Sequence, residues 1–383
     1  MGKKINNPKR DIPLGWKKNI MAKRLDKLEQ KFLDTIKENN LINKGDVIVV
    51  GVSGGPDSIT LLTCLNKYKD YLNIKIICAH INHLIRKDST EDEQFVESVC
   101  KKMGIKCYIK RAEVEKIAKE QKKGTEEVGR KIRYDFFDEV AKKENANKIA
   151  IAHNMNDNAE TMLLNIIRGS GLTGLEGIQP EEYGRFIRPL INCKREEIEE
   201  YCQKYDLKPR IDSTNKENIY RRNIIRNKIL PELKELNPNI VESLSNLSKI
   251  VKVQNIHIKN EVENIYNKIA TETFEKINKA ESMDKKRTNN ILGTQKDDEQ
   301  VGETLGKIEL DLNEFQKLDL NLKQNLIIYT ITKTLKSARN IEKVNVDDII
   351  KMCSRNIGKK YIEPNKNLKV LIENIKIIFI PLT

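Results

Sequence analysis

The spacing of apolar positions changes period along this chain. Leu25, Leu28, Phe32, Leu33 and Ile36, in a segment that opens at Met21, recur every three or four residues and predict an amphipathic helix. From Val47 the pattern switches. Apolar, largely β-branched runs at Val47–Val52, Ile74–Ile81, Lys106–Ile109 and Lys148–Ala152 alternate with helical spacings at Ile59–Leu65, Glu91–Met103, Gly124–Lys143 and Asn158–Ile167. Such runs suit strands buried on both faces. The β-α-β-α order predicts an α/β fold built on a doubly wound parallel sheet. Ligands of such sheets bind beyond the carboxyl ends of the strands, so chemistry is expected just after Val52, Ile81 and Ala152.

Further along, Lys194–Tyr205 reads as a helix. Ile240, Leu244, Leu247, Val251, Ile258, Val262, Ile265 and Ile269 recur at three, four or seven, which predicts one long helix or a helical pair packed on a neighbour. Ala280–Gly306 is polar and unpatterned and predicts a disordered insert. A strand at Ile308–Leu312, a helix over Asn313–Leu335 and short alternating strands in the last thirty residues follow. The expected organisation is a flexible basic extension over 1–20, an α/β domain over 21–215 and a mostly helical region over 216–280. The insert over 281–306 and a small α+β part over 307–383 complete it.

Composition narrows the classes. A chain of 383 residues exceeds one compact core. No apolar run reaches the length of a membrane span and the first residues form no apolar signal core, so no membrane association and a cytoplasmic location are expected. The seven cysteines (64, 78, 100, 107, 193, 202 and 353) form no Cys-x-x-Cys pair, which suggests neither a zinc ribbon nor an iron–sulfur site. Buried, reduced thiols are the expectation. The net charge is +14, and residues 1–24 carry +7 of it. That balance suits a polyanionic partner, although a general bias toward Lys, Asn and Ile accounts for it equally well. A start of translation at Met21 would remove most of the basic tail.

The most informative stretch is Val47-Ile-Val-Val-Gly-Val-Ser53-Gly54-Gly55-Pro56-Asp57-Ser58. An apolar strand feeds a glycine turn and then a helix, whose free N–H groups suit an anion. No Gly-Lys-Ser/Thr follows, so this phosphate cradle is not a Walker A loop. Asp57 stands where a carboxylate either caps the helix or holds Mg2+ beside a triphosphate. After the second run come His80 and His83, too few donors for a metal set on their own. Arg130 and Arg133 share one helix face and suit phosphate oxygens or, equally, a solvated surface. Asp157 and Glu160, three apart at a helix start, either favour the dipole or form a site for a cation such as an ammonium. Tyr220, Arg221, Arg222, Arg226 and Lys228 form a basic block fit for single-stranded RNA.

Taken together, these motifs resemble the N-type ATP pyrophosphatases, in particular the tRNA(Ile)-lysidine synthases. Ser53–Ser58 matches Ser-Gly-Gly-x-Asp-Ser, and His80-Ile-Asn-His83-Leu-Ile-Arg86 matches His-x-Asn-His-x-Leu-Arg with Ile85 in place of Leu. Arg130 and Arg133 fall in Glu-x-x-Ala-Arg-x-x-Arg-Tyr, with Gly129 for Ala. His153, Asp157 and Glu160 fall in Ala-His-His/Asn-x-x-Asp-x-x-Glu-Thr. Arg168–Gly177 matches the family's glycine-rich loop, and Asp212, Thr214, Asn215, Tyr220, Arg222, Asn223 and Arg226 match its last block. The resemblance runs from about Met21 to Pro231 and is loose beyond Asn237.

The resemblance implies a PP-loop domain that uses ATP and Mg2+, with Ser53, Gly54, Gly55, Pro56, Asp57, Ser58, His83, Arg130 and Arg133 on ATP and Asp57 on the metal. It implies Asp157 and Glu160 on free L-lysine, and Asp57, His153, Asp157 and Glu160 as catalytic residues. Arg221, Arg222, Arg226 and Lys228 would hold tRNA(Ile) with anticodon CAU. A homodimer is an assembly it allows. A tRNA thiolase on the same fold is the alternative, which the lack of a Cys-x-x-Cys pair disfavours.

Overall fold

The computed structural model describes residues 25–84, 89–210, 221–276, 303–336, 341–355 and 361–382. The expected extension over 1–20, residues 211–220 with Asp212, Asn215 and Tyr220, and residues 281–302 of the expected insert lie outside them. The chain divides into two compact units at Val251/Lys252.

The first unit is built on a six-stranded sheet. Its strands are β1 (Val47–Gly51), β2 (Lys75–Asn82), β3 (Lys106–Arg111), β4 (Lys148–Ala150), β5 (Glu181–Glu182) and β6 (Phe186–Ile187). They lie in the order β3-β2-β1-β4-β6-β5. All pairs are parallel except the β5–β6 edge hairpin. The uninterrupted apolar run of β1 has the expected cause, because successive side chains enter different cores. Ile48 and Val50 pack with Leu28, Phe32, Leu61, Leu62 and Tyr201, from three helices on one face. Val49 packs with Phe136, Phe137 and Val140, from the Thr125–Lys143 helix on the other. Full burial of such a side chain is worth roughly 1.5–3 kcal/mol. Gly51 closes β1 because a Cβ there would lie 2.4 Å from the Phe137 ring.

The expected elements are present with shifted ends. The helix after β1 spans Pro56–Leu72, its proline in the first turn, where the missing N–H costs nothing. His80 lies inside β2 rather than beyond it. The helix after β4 begins at Met155, three residues earlier than its apolar spacing suggests, because Asn154 caps it. Its Met155, Ala159 and Met162 pack with Ile225, Leu230, Val241 and Leu244.

In the second unit, β7 (Ala270–Lys276), β8 (Glu303–Asp311), β9 (Tyr361–Asn365), β10 (Leu368–Glu373) and β11 (Lys376–Pro381) form an antiparallel sheet in the order β7-β8-β11-β10-β9. Pro364, which cannot donate to a ladder, sits on edge strand β9. Glu303–Gly306, read above as the end of the insert, begin β8. The single helix expected over Asn313–Leu335 is two, Leu312–Lys317 and Leu320–Leu335. Leu318 turns extended, and the Asp319 carboxylate accepts from Leu322 N at 2.9 Å to cap the second. Ile240–Ile269 is one 30-residue helix that contains the division between the units.

Candidate active site

The turn after β1 is tied by its own hydroxyls. Ser58 Oγ accepts from the backbone N–H groups of Ser53 and Gly54, both at 3.2 Å, and donates to Gly55 O at 3.0 Å. Gly54 has φ +92°, a conformation that only glycine holds without strain. The Pro56–Leu72 helix therefore starts with its N-terminus open toward a cavity of about 420 Å³. Ser53, Asp57 and Ser58 line its polar end, and His80, Asn82, His83, Arg133 and His153 surround the rest. Ala79, Ile81, Phe137 and Ile151 give it an apolar wall. The strand-end clusters after Val52, Ile81 and Ala152 thus meet in one place.

Asp57 does not cap its own helix, since Gly55 is the N-cap and no side chain caps it. Its Oδ1 accepts instead from Asn154 Nδ2 at 2.7 Å. Burial, reinforced by the nearby Asp157 charge, raises its carboxyl to about 6, although Arg195, Asn154 and Arg226 pull the other way. A half-buried carboxylate held at that cost is relieved by a cation, so the donor set fits a divalent metal such as Mg2+.

Asn154 also joins Asp57 to the next acid. Its Oδ1 accepts from Asp157 N, and its own N–H donates to Asp157 Oδ2, both at 3.0 Å. One turn on, Glu160 is fully buried. Arg226 Nε reaches Glu160 Oε1 at 2.6 Å and Arg222 Nε reaches Oε2 at 2.7 Å. Both guanidinium groups also approach Asp157 Oδ1 at 3.2 Å. Arg195 stands 3.7 Å from both acids. Asp57, Asp157 and Glu160 are therefore balanced by three arginines, and Arg222 and Arg226 point inward rather than at solvent. A five-residue π-helical turn, Ile225–Ile229, carries Arg226 and leaves Lys228 exposed.

A second cavity, about 650 Å³, is lined by Arg130, Arg168, Arg188, Arg221 and Arg222, together with Glu126, Thr161, Gln179 and Glu182. Arg130 lies here, over the Tyr134 ring at 4.9 Å, while Arg133 lies in the first cavity. His153 lines both. Arg188 Nε donates to His153 Nδ1 at 3.1 Å. Burial and the surrounding arginines 188, 222, 130 and 133 hold this imidazole well below its ordinary pKa. It is therefore neutral with its proton on Nε2, a fixed donor. His83, 3.4 Å from Arg133, is lowered to about 4 by burial and that charge.

Three participants are not among the site residues expected from the sequence. Asn154 occupies a variable motif position. Arg188 is 2% exposed, and its fork also holds Gln179 O and Glu182. Arg195 lies in a helix read only for its periodicity. An arginine followed by Pro189-Leu190-Ile191 was the one available hint, because a charge in an apolar stretch needs buried partners.

The chain is 46% identical over 244 residues to the tRNA(Ile)-lysidine synthase of Clostridium perfringens, covering 63% of this chain and 52% of that protein. It is 49% identical over 228 residues to that of Clostridium acetobutylicum, covering 59% and 50%. It is 48% identical over 235 residues to that of Clostridioides difficile, covering 61% and 51%. The chain thus spans about half the length of the curated relatives it matches. The U34-tRNA thiolase of Methanococcus maripaludis, solved with its [4Fe-4S] cluster, shares the fold at a TM-score of 0.50 and 21% identity, over 59% of this chain and 78% of that one. No helix among the described residues is long and apolar enough to cross a membrane. The family pattern of the PP-loop domain matches residues 24–233, and with the Ser53–Ser58 turn at the carboxyl edge of a parallel sheet, the chain belongs to the PP-loop family.

Proposed function

We propose that this protein joins free L-lysine to C2 of the wobble cytidine of tRNA(Ile) with anticodon CAU, at the expense of ATP. In the first step the C2 oxygen of cytosine attacks the α-phosphorus of ATP, and pyrophosphate leaves. In the second the lysine ε-amine attacks C2, AMP leaves with the oxygen, and a proton is lost from nitrogen. The observation that carries this reading is the chain Asp57–Asn154–Asp157, which ties the phosphate turn directly to the paired acids.

Each group has work to do in it. Ser53, Gly54, Gly55, Pro56 and Ser58 cradle phosphate oxygens, with the helix N-terminus behind them. Asp57 would hold Mg2+, which offsets charge on the triphosphate. The apolar wall around Phe137 suits a purine. Asp157 and Glu160 would orient the lysine amine once it displaces Arg222 or Arg226, which hold both carboxylates here. An ammonium with a pKa of about 10.4 must lose its proton before it attacks. Three arginines already neutralise the three acids, so the site orients an amine without a net negative field to trap it as a cation. His153, facing both cavities, offers Nε2–H to the oxygen that is activated. The extruded base would enter the arginine-lined cavity, with Arg221 and Lys228 at the RNA backbone.

No cysteine lines either cavity among the described residues, which disfavours sulfur transfer. The test combines protein, ATP, Mg2+ and labelled lysine with unmodified tRNA(Ile) bearing CAU, beside the same tRNA with U in place of the wobble C. ATP-dependent label on the first alone is the expected result. No label, with AMP released only when a sulfur donor replaces lysine, would move the protein to the thiolase branch.

A further inference from the structure

Outside this site, the fold assembles three cysteines that the sequence keeps apart. Cys78 on β2 and Cys107 on β3 are partners in the parallel ladder. Cys100, on the Ser89–Met103 helix, covers the same face of the sheet. The three sulfurs all lie within 4.8 Å of one another. Cys78 and Cys100 are buried, at 0% and 1% exposure, and Cys107 is half-buried. None is in a disulfide.

Sulfurs bound at about 2.3 Å to one zinc-sized ion stand about 4 Å apart. The observed cluster needs only a small contraction to reach that geometry. Its donors are all soft, with no carboxylate or imidazole among them, and such a set selects ions that favour thiolate. Cys107 is the half-buried member of the three, so an ion would reach the cluster from its side.

We propose that Cys78, Cys100 and Cys107 form a three-thiolate site for a closed-shell thiophilic metal ion, of the Zn(II) or Cu(I) class. Each sulfur–metal bond replaces an S–H bond, the proton goes to solvent, and no electron is transferred. The bound ion would clamp β2, β3 and the covering helix together. Two and four residues beyond Cys78, the same β2 places His80 and Asn82 in the wall of the first cavity. The role is structural, and it does not depend on which reaction the active site performs.

The full chain, reduced and stripped of metal, is titrated with Cd2+ alone and, in a second arm, with Cu(I) alone. A sulfur-to-metal charge-transfer absorption that saturates at one ion per chain is expected. Binding should weaken at least tenfold in Cys107→Val and in Cys100→Ser, each checked for folding by circular dichroism. Cys353→Ser, in the other unit, should bind as the unaltered chain does. Competition with Zn2+ then assigns the class: retention of Cu(I) favours the monovalent ion, its displacement the divalent one. Cys107→Val suits a strand and keeps the test decisive if Cys100→Ser does not fold. Absence of the absorption with either ion, or equal absorption in Cys107→Val, would overturn the site and leave three packed thiols.

Discussion

Asn154 Nδ2 donates to Asp57 Oδ1 at 2.7 Å, so the residue that caps one helix holds the acid at the start of another. Asn154→Ala removes that bond and the cap together. A loss of about 1–2 kcal/mol in stability is expected from urea unfolding. ATP–pyrophosphate exchange should fall by more than lysine affinity does, because Asp57 loses its only described side-chain donor. Unchanged exchange would remove Asn154 from the site.

The raised carboxyl of Asp57 sets a pH dependence. A folded value of about 6 against an ordinary 3.8 means that the folded state binds this proton more tightly than the unfolded chain. The associated stability is fully present below 3.8 and is lost as pH rises through 6. The conversion of about 1.36 kcal/mol per pH unit bounds the loss at roughly 3 kcal/mol. Asp57→Asn should therefore unfold at a higher denaturant concentration than the unaltered protein at pH 8, and at nearly the same one at pH 4. Mg2+ should narrow the gap at pH 8.

Glu160 is fully buried and depends on two guanidinium partners. Arg226→Ala leaves that carboxylate short of a charge it cannot replace with water, at a cost of about 3–5 kcal/mol. Thermal unfolding reads this directly. Arg226→Lys should recover only part of it, since an ammonium cannot supply both bonds of the fork. An unfolding midpoint within a degree of the unaltered protein for Arg226→Ala would show that the network carries no stability.

Two glycines should respond in opposite directions. A Cβ at Gly129 meets Val114 at 3.5 Å and His83 at 3.8 Å, which is ordinary contact. Gly129→Ala should stabilise the Thr125–Lys143 helix by about 0.4–1 kcal/mol with activity retained. Gly51→Ala drives its methyl into the Phe137 ring and should cost about 1–3 kcal/mol. Chemical denaturation of both variants tests the pair.

Asp157→Asn separates the two proposed steps. In the proposed scheme this acid serves the amine and not the phosphates, so lysine transfer should drop by tenfold or more while pyrophosphate exchange survives. Equal loss of both would refute an amine-specific role.

The parallel sheet was legible because buried strands write themselves as apolar runs, and β1 and β2 are such runs. The phosphate turn was legible because its glycines and serines have few other uses in that order. The direction of Arg222 and Arg226 was not legible. Their spacing marks a shared face, but only the fold reveals that Glu160 lies beneath it. The β5–β6 hairpin has two residues per strand, too few for a period to register. Asp319 is a cap that the continuous apolar stripe from Phe315 to Tyr329 conceals. Cys78, Cys100 and Cys107 carry no motif, because a ladder register and a helix docking angle bring them together.

The balance of Asp57, Asp157 and Glu160 against Arg195, Arg222 and Arg226 has a consequence for behaviour in salt. Opposite signs that cancel within a few ångströms project little field, and mobile ions have little there to screen. Arg221 and Lys228 stand exposed, and their reach toward a polyanion shrinks as ionic strength rises. Added salt should therefore separate the two proposed substrates: capture of the proposed RNA weakens steeply while the apparent affinity for the proposed amino acid holds.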